Sequence, residues 1–199
     1  MFKILEGGVS RYGARGELGL QIKRVWLSGG VLRRDGVVVP GLIAFDTGYA
    51  AAYSTGTTGM FGTARGKVYK DLGGDVFAVR WNKPGFYRPQ VQTREELYLD
   101  TKWLSRFPSG DFGFWASVAH EYRENVLFPT PGAVESFAGT PVFAVGSHTL
   151  EIRIEVRIQE AVIYWHSMYG INPPTFEYIP GFLQPRQRFL YGVRWQFWN

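Results

Sequence analysis

Leu150 to Val156 reads LEIRIEV, and this stretch decides the fold class. Leu150, Ile152, Ile154 and Val156 fall on one side of an extended chain, and Glu151, Arg153 and Glu155, with Arg157 beyond, fall on the other. Successive side chains alternate across a β-strand, whereas a helix gathers every third or fourth residue on one face. Wound as a helix, this stretch would scatter its charges around the whole circumference. As a strand it has one apolar face and one charged face.

The same alternation recurs to either side. Phe112 to Val118, FGFWASV, sets Phe112, Phe114, Ala116 and Val118 against Gly113, Trp115 and Ser117. Leu97 to Phe107 puts Leu97, Leu99, Trp103 and Phe107 on one face, with Asp100, Lys102 and Arg106 on the other. The chain ends on FLYGVRWQFWN, where Phe189, Tyr191, Val193, Trp195 and Phe197 share a face. Helical periodicity is nearly absent, and clusters of Gly, Pro, Asn and Asp punctuate the runs.

This patterning predicts an all-β chain: an antiparallel up-and-down meander of about nine long strands, near 2–11, 17–33, 57–70, 76–82, 93–107, 112–124, 142–157, 161–169 and 187–198. The expected connections alternate in length. Tyr12–Gly16, Leu72–Asp75 (LGGD), Pro108–Asp111 (PSGD) and Ile158–Glu160 are short, while Asp35–Gly56, Lys83–Gln92, Asn125–Pro141 and Gly170–Arg186 are longer. In a meander, odd connections lie at one end of the sheet and even ones at the other. All short turns therefore fall at one end, the asymmetry of outer-membrane barrels.

Composition narrows the function classes. Aromatic residues make up 17% of the 199 residues, with 15 Phe, 11 Tyr and 7 Trp, and cysteine is absent, which excludes disulfides and thiolate metal sites. The formal net charge of +5 is spread over the strands without a Lys/Arg-rich block, so no nucleic-acid partner is expected. No run of about 18 uncharged apolar residues marks a transmembrane helix. The start, MFKILEGGVSRYG, has neither the apolar core nor the cleavage site of a secretory signal.

Period-2 alternation has two readings. In a soluble β-sandwich the apolar faces meet in a dry core. In a membrane barrel they face lipid and the charged residues line a watery lumen. Mixed charge on the polar faces and aromatics near strand ends, such as Trp81, Tyr122, Trp165, Tyr169 and Trp198, favour the second. A soluble aromatic-rich module that binds carbohydrate, and a small closed barrel of eight strands, are the alternatives.

The C-terminal segment FEYIPGFLQPRQRFLYGVRWQFWN resembles the end of TonB-dependent receptor barrels. The residues that carry the likeness are Pro180, Gly181 and Phe182, then Pro185 and Arg186, then Gly192, Trp195 and Phe197. LEIRIEVRIQEAVIYWHSMYGIN looks like that family's last hairpin, with Asn172 in the matching position, and FYRPQ, YLDT and SRFPSGDFGF look like parts of another. The likeness is loose over most of the chain and firmer over the last 50 residues or so. Where the family ends on Phe, this chain continues past Phe197 to Trp198 and Asn199.

The resemblance implies an outer-membrane protein that takes part in nutrient uptake and catalyses no reaction. It implies that Phe189, Tyr191, Val193, Trp195, Phe197 and Trp198 form a membrane-interface and targeting strand, read by the barrel-assembly machinery. Outer-membrane lipid would surround it, and TonB would act through a plug. Full receptors of this class have 22 strands around a plugged lumen. About nine strands without a candidate plug lead to the expectation of a C-terminal barrel portion, 1–199, whose remaining barrel and plug lie elsewhere.

The residues show no catalytic, cofactor or metal signature. His120, His148 and His166 lack metal-ligand spacing, and no G-x-S-x-G occurs. YGARGELG at Tyr12–Gly19 lacks a βαβ context, and TGTTGMFGTARG at Thr55–Gly66 lacks the P-loop Lys-Ser/Thr. Binding residues concentrate on loops held by a scaffold. Tyr49, Tyr53, Phe137, Phe176 and Tyr178, in the three long loops, are therefore the candidate ligand contacts.

Overall fold

The computed structural model describes residues 13–39, 52–102, 112–128 and 142–195. The strands are β1 (Gly13–Ile22), β2 (Val25–Arg34), β3 (Val37–Val39), β4 (Ala52–Ser54), β5 (Thr57–Tyr69), β6 (Leu72–Trp81) and β7 (Val91–Thr101). They continue with β8 (Phe112–Arg123), β9 (Val126–Phe128), β10 (Val142–Ala144), β11 (Ser147–Ile158), β12 (Ala161–Asn172) and β13 (Gln187–Trp195). The described chain is all-β. Nine strands form one sheet in the order β1-β2-β5-β6-β7-β8-β11-β12-β13, every neighbour antiparallel. The pairs β3–β4 and β9–β10 are short sheets that prolong the β2–β5 and β8–β11 connections past the end of the strands.

The expected meander is present, with shifted boundaries. The span 17–33 is two strands, because the chain reverses at Lys23–Arg24. Gly13–Gly16 lies inside β1 rather than in a turn, and LGGD opens β6, the reversal falling at Lys70–Asp71. Three tight reversals each begin on a residue in the left-handed region: Lys23 (φ 54), Lys70 (φ 44) and Gln159 (φ 53). All three lie at one end of the sheet. The connections between β2 and β5, β6 and β7, β8 and β11, and β12 and β13 lie at the other. The proposed strand at 2–11 and the PSGD turn fall outside the described residues.

Register fixes the two faces. Directly opposed residues share a face, and alternate residues along a strand share it too. From Ile152 the apolar face runs through Val118, Leu97, Gly74, Gly66 and Val25 on one side, and through Ser167 and Phe189 on the other. The charged face carries Arg15, Arg65, Asp75, Arg94, Glu96, Glu121, Glu151, Arg153, Arg188 and Arg194.

Burial is inverted with respect to a soluble sandwich. On the apolar face, in the middle of the sheet, Leu97 is 54% exposed, Val118 48% and Ile163 48%. On the charged face Trp81 is 8% exposed, Ser117 6% and Ala119 1%. The largest core on the sheet itself, Phe61, Val79 and Trp81 with Leu32 against them, lies on the charged face near the long connections. A second, Val126, Phe128 and Ala144, lies in the β9–β10 extension. Among the described residues no second layer covers the apolar face.

Aromatic rings on the charged face lie over glycines of the neighbouring strand. A Cβ on Gly73 would sit 2.3 Å from the Tyr98 ring, and one on Gly59 2.7 Å from Trp81. Bare backbone is the only surface flat enough to accept these rings, so the glycines within strands are packing positions.

Candidate functional site

The charged face between β7 and β12 holds the densest array of interacting polar groups. Arg94 of β7 pairs directly with Glu121 of β8, and Glu151 of β11 lies two residues beyond Thr149, the direct partner of Glu121, toward the short-turn end. The Arg94 guanidinium donates to Glu151 at 2.9 Å and contacts Glu121 at 3.6 Å and Glu96 at 3.8 Å. Gln92 donates to the other oxygen of Glu121 at 3.3 Å. His166 of β12 reaches the remaining Glu151 oxygen at 2.8 Å, an electrostatic contact without hydrogen-bond alignment, effective when the ring is protonated. One cation thus organises three carboxylates across adjacent strands.

Toward the short-turn end, Arg153 pairs with Glu155 and lies 5.0 Å above the Trp115 ring. A cleft of about 450 Å³ opens there, lined by Asp100, Lys102, Trp115, Arg153, Glu155 and Arg157. It offers an aromatic surface flanked by both signs of charge.

At the opposite end the connection between β12 and β13 folds onto the same face. Gly170 donates its N–H to the Arg186 carbonyl at 2.9 Å and Gln184 to the Phe176 carbonyl at 2.7 Å, closing the loop on itself. Phe176 is almost fully buried, and Tyr178 meets it edge-on at 5.1 Å. Arg123 of β8 stacks 4.7 Å over Tyr178 and donates to the Glu177 carbonyl. Burial, then the negative charge of Glu121, holds the Tyr178 hydroxyl above the usual tyrosine range. The connection between β6 and β7 docks at the same end, against Trp81 and β9. Arg88 lies 4.8 Å over Trp81, and the Tyr87 N–H donates to the Leu127 carbonyl at 2.9 Å. Burial raises the Tyr87 hydroxyl as well.

Of the candidate ligand contacts, Phe176 and Tyr178 therefore come together, but as the anchor of a docked loop. Tyr53 sits in β4 opposite Val38, while Tyr49 and Phe137 fall outside the described residues. Phe189, Tyr191, Val193 and Trp195 share the apolar face of β13 and are exposed, whereas Phe197 and Trp198 fall outside the described residues. The Arg94 network had no signal in the sequence beyond alternating charge, because its members are far apart along the chain.

Among the described residues no group of three or more His, Asp or Glu is placed to hold a metal ion. Among the same residues no helix is long and apolar enough to cross a membrane, which says nothing of a β-barrel. Comparison with family models, curated proteins and solved structures gives no match to the chain.

Proposed function

We propose that the chain is a section of the wall of an outer-membrane β-barrel of the TonB-dependent receptor type, with its apolar face toward lipid and its charged face toward the lumen. In this reading it serves nutrient uptake as scaffold. The lumen-side network and the docked loops shape the path of the solute, and TonB supplies energy through a plug. The observation that carries the reading is the inverted burial. An apolar face nine strands wide that none of the described residues covers is untenable in water, where exposed apolar patches rarely exceed a few hundred Å², and is what a bilayer requires.

Two further features support it. On the apolar face of β8, Phe112 and Tyr122 are ten positions apart (122 less 112). At about 3.4 Å per residue and a tilt of 35–45°, that separation covers roughly 24–28 Å of membrane depth, close to the outward apolar band of such barrels. Phe114, Tyr69 and Trp195 accompany Phe112 near the short turns, and Tyr169 and Phe189 accompany Tyr122 near the long connections. Trp165 and Tyr191 face each other in the middle of the β12–β13 ladder and depart from this banding. Secondly, β1 and β13 are the free edges of the described sheet. Eight antiparallel steps separate them, so they run in the same direction and would meet only as a parallel pair. Lipid does not tolerate open edges, so closure calls for further strands.

The test is partition of the expressed chain between buffer and detergent, with circular dichroism of each fraction. A β-rich species recovered only with detergent or lipid is the expected result. A monodisperse β-rich protein in plain buffer would overturn the membrane reading and favour a soluble aromatic-rich carbohydrate module.

A further inference from the structure

The apolar face carries a cluster of ionisable groups toward the long-connection end. Glu95 of β7 is directly opposite His120 of β8, and His148 of β11 is directly opposite Tyr122, two residues further along β8. Period 2 brings all four side chains to one face. The Glu95 carboxylate lies 2.9 Å from His120 Nδ1, and His120 Nε2 lies 3.3 Å from His148 Nδ1. The two imidazoles stack at 5.5 Å, with Tyr122 closing the far side of His148 at 4.7 Å.

The hydrogen-bond pattern sets the tautomer. A carboxylate accepts only, so His120 carries its proton on Nδ1, and its Nε2 presents a lone pair to His148. The gap between the two ring nitrogens is longer than the common nitrogen hydrogen bond of about 2.9–3.0 Å. It fits a different occupant. Two imidazole nitrogens bound at about 2.0–2.1 Å to one tetrahedral ion stand about 3.3–3.4 Å apart. Metal-bound histidines almost always donate their other N–H to a carboxylate, which fixes the ring and strengthens the donor. Glu95 stands in that place on His120. Because it addresses the far nitrogen, it is no ligand, which is why the cluster is not a cage of three.

We propose that His120 and His148 form a two-imidazole site for a borderline divalent cation of the zinc or copper class, completed by water, with Glu95 as the positioning residue. Imidazole suits these ions, whereas magnesium and calcium prefer oxygen. The site is reachable from outside: the His120 side chain is 38% exposed and that of Glu95 44%. The inference rests on side-chain geometry and on water reaching this end of the apolar face, near the long connections.

The experiment is isothermal titration of the full chain with zinc chloride, in detergent micelles, or in plain buffer if the chain proves soluble there. Circular dichroism confirms the sheet in each variant. Binding of about one equivalent is expected, lost in His120→Ala and in His148→Ala and kept in His166→Ala, whose ring is on the opposite face. Glu95→Gln should weaken binding about 10- to 100-fold, the usual cost of losing such a carboxylate, and Glu95→Asp should restore part of it. No zinc binding by the β-rich wild-type chain, or binding that survives either of the first two substitutions, overturns the proposal.

Discussion

The two faces of the nine-stranded sheet obey opposite rules. On the apolar face aliphatic and aromatic side chains stand exposed side by side, held only by their lateral neighbours. On the charged face carboxylates and guanidiniums are paired, rings lie flat on glycine backbone, and two loops fold down to bury Phe86 and Phe176. A sheet in water buries its apolar side because transfer of apolar area out of water is its main driving force. Here the polar side has acquired the loops, the buried core and the ion-pair network. Apolar patterning alone therefore does not say which side of a sheet is inside. What says so is where the chain spends its long connections.

A charge placed on the apolar face should have the largest effect. Val118→Arg places a cation in the middle of that face, next to Leu97 and Ile152. If the face meets lipid, the variant loses about 2–4 kcal/mol of stability in a bilayer. If it meets water, an exposed substitution stays within about 0.5 kcal/mol. Denaturant unfolding of wild type and variant in lipid vesicles measures the difference, and a change of the second size removes the contrast between the faces.

A smaller effect sharpens the other face. Arg94→Ala leaves Glu96, Glu121 and Glu151 without their shared guanidinium. We expect a loss of about 1–2 kcal/mol, discounted because Arg94 keeps over a third of its side-chain surface in solvent. Arg94→Lys should recover only part of it, since a point charge cannot hold carboxylates on both sides as the planar fork does. Unfolding of the three proteins under the same conditions checks this, and equal stability of wild type and Arg94→Ala would show the network to be ornamental.

Much of this division was legible in the sequence, for a physical reason. LEIRIEV, FGFWASV and FLYGVRW alternate strictly, and alternation along one strand propagates across a sheet through register. The turns were less legible. Lys23, Lys70 and Gln159 open these turns in left-handed geometry without the Gly or Asn that usually signals it. The glycines of LGGD do signal a turn, yet both lie within β6, and Gly73 serves as the floor beneath the Tyr98 ring. The His120–His148 contact was invisible because 28 residues separate its members. Ligand spacing along a strand has no meaning when the partner comes from the next strand.

The finest test concerns how the charged face holds its loop. Tyr178 is clamped between Phe176 and Arg123, and burial, reinforced by the charge of Glu121, lifts its hydroxyl above the ordinary tyrosine range. A raised value in the docked state means that docking favours the neutral phenol. The stabilisation is therefore fully present below the ordinary tyrosine range of about 10 and is lost as pH rises from there through the docked value. An ultraviolet titration of tyrosinate should show the buried hydroxyls ionising after the exposed ones. Tyr87, raised by burial in the neighbouring loop, belongs to the same late group. Tyr178→Phe should remove one hydroxyl from that group, leave Tyr87 in place, and make the docking of the loop less sensitive to alkali. Should Tyr178 ionise together with the exposed tyrosines, the loop is not seated on the charged face. The charged face would then owe its order to its ion pairs and to the core around Phe61, Val79 and Trp81.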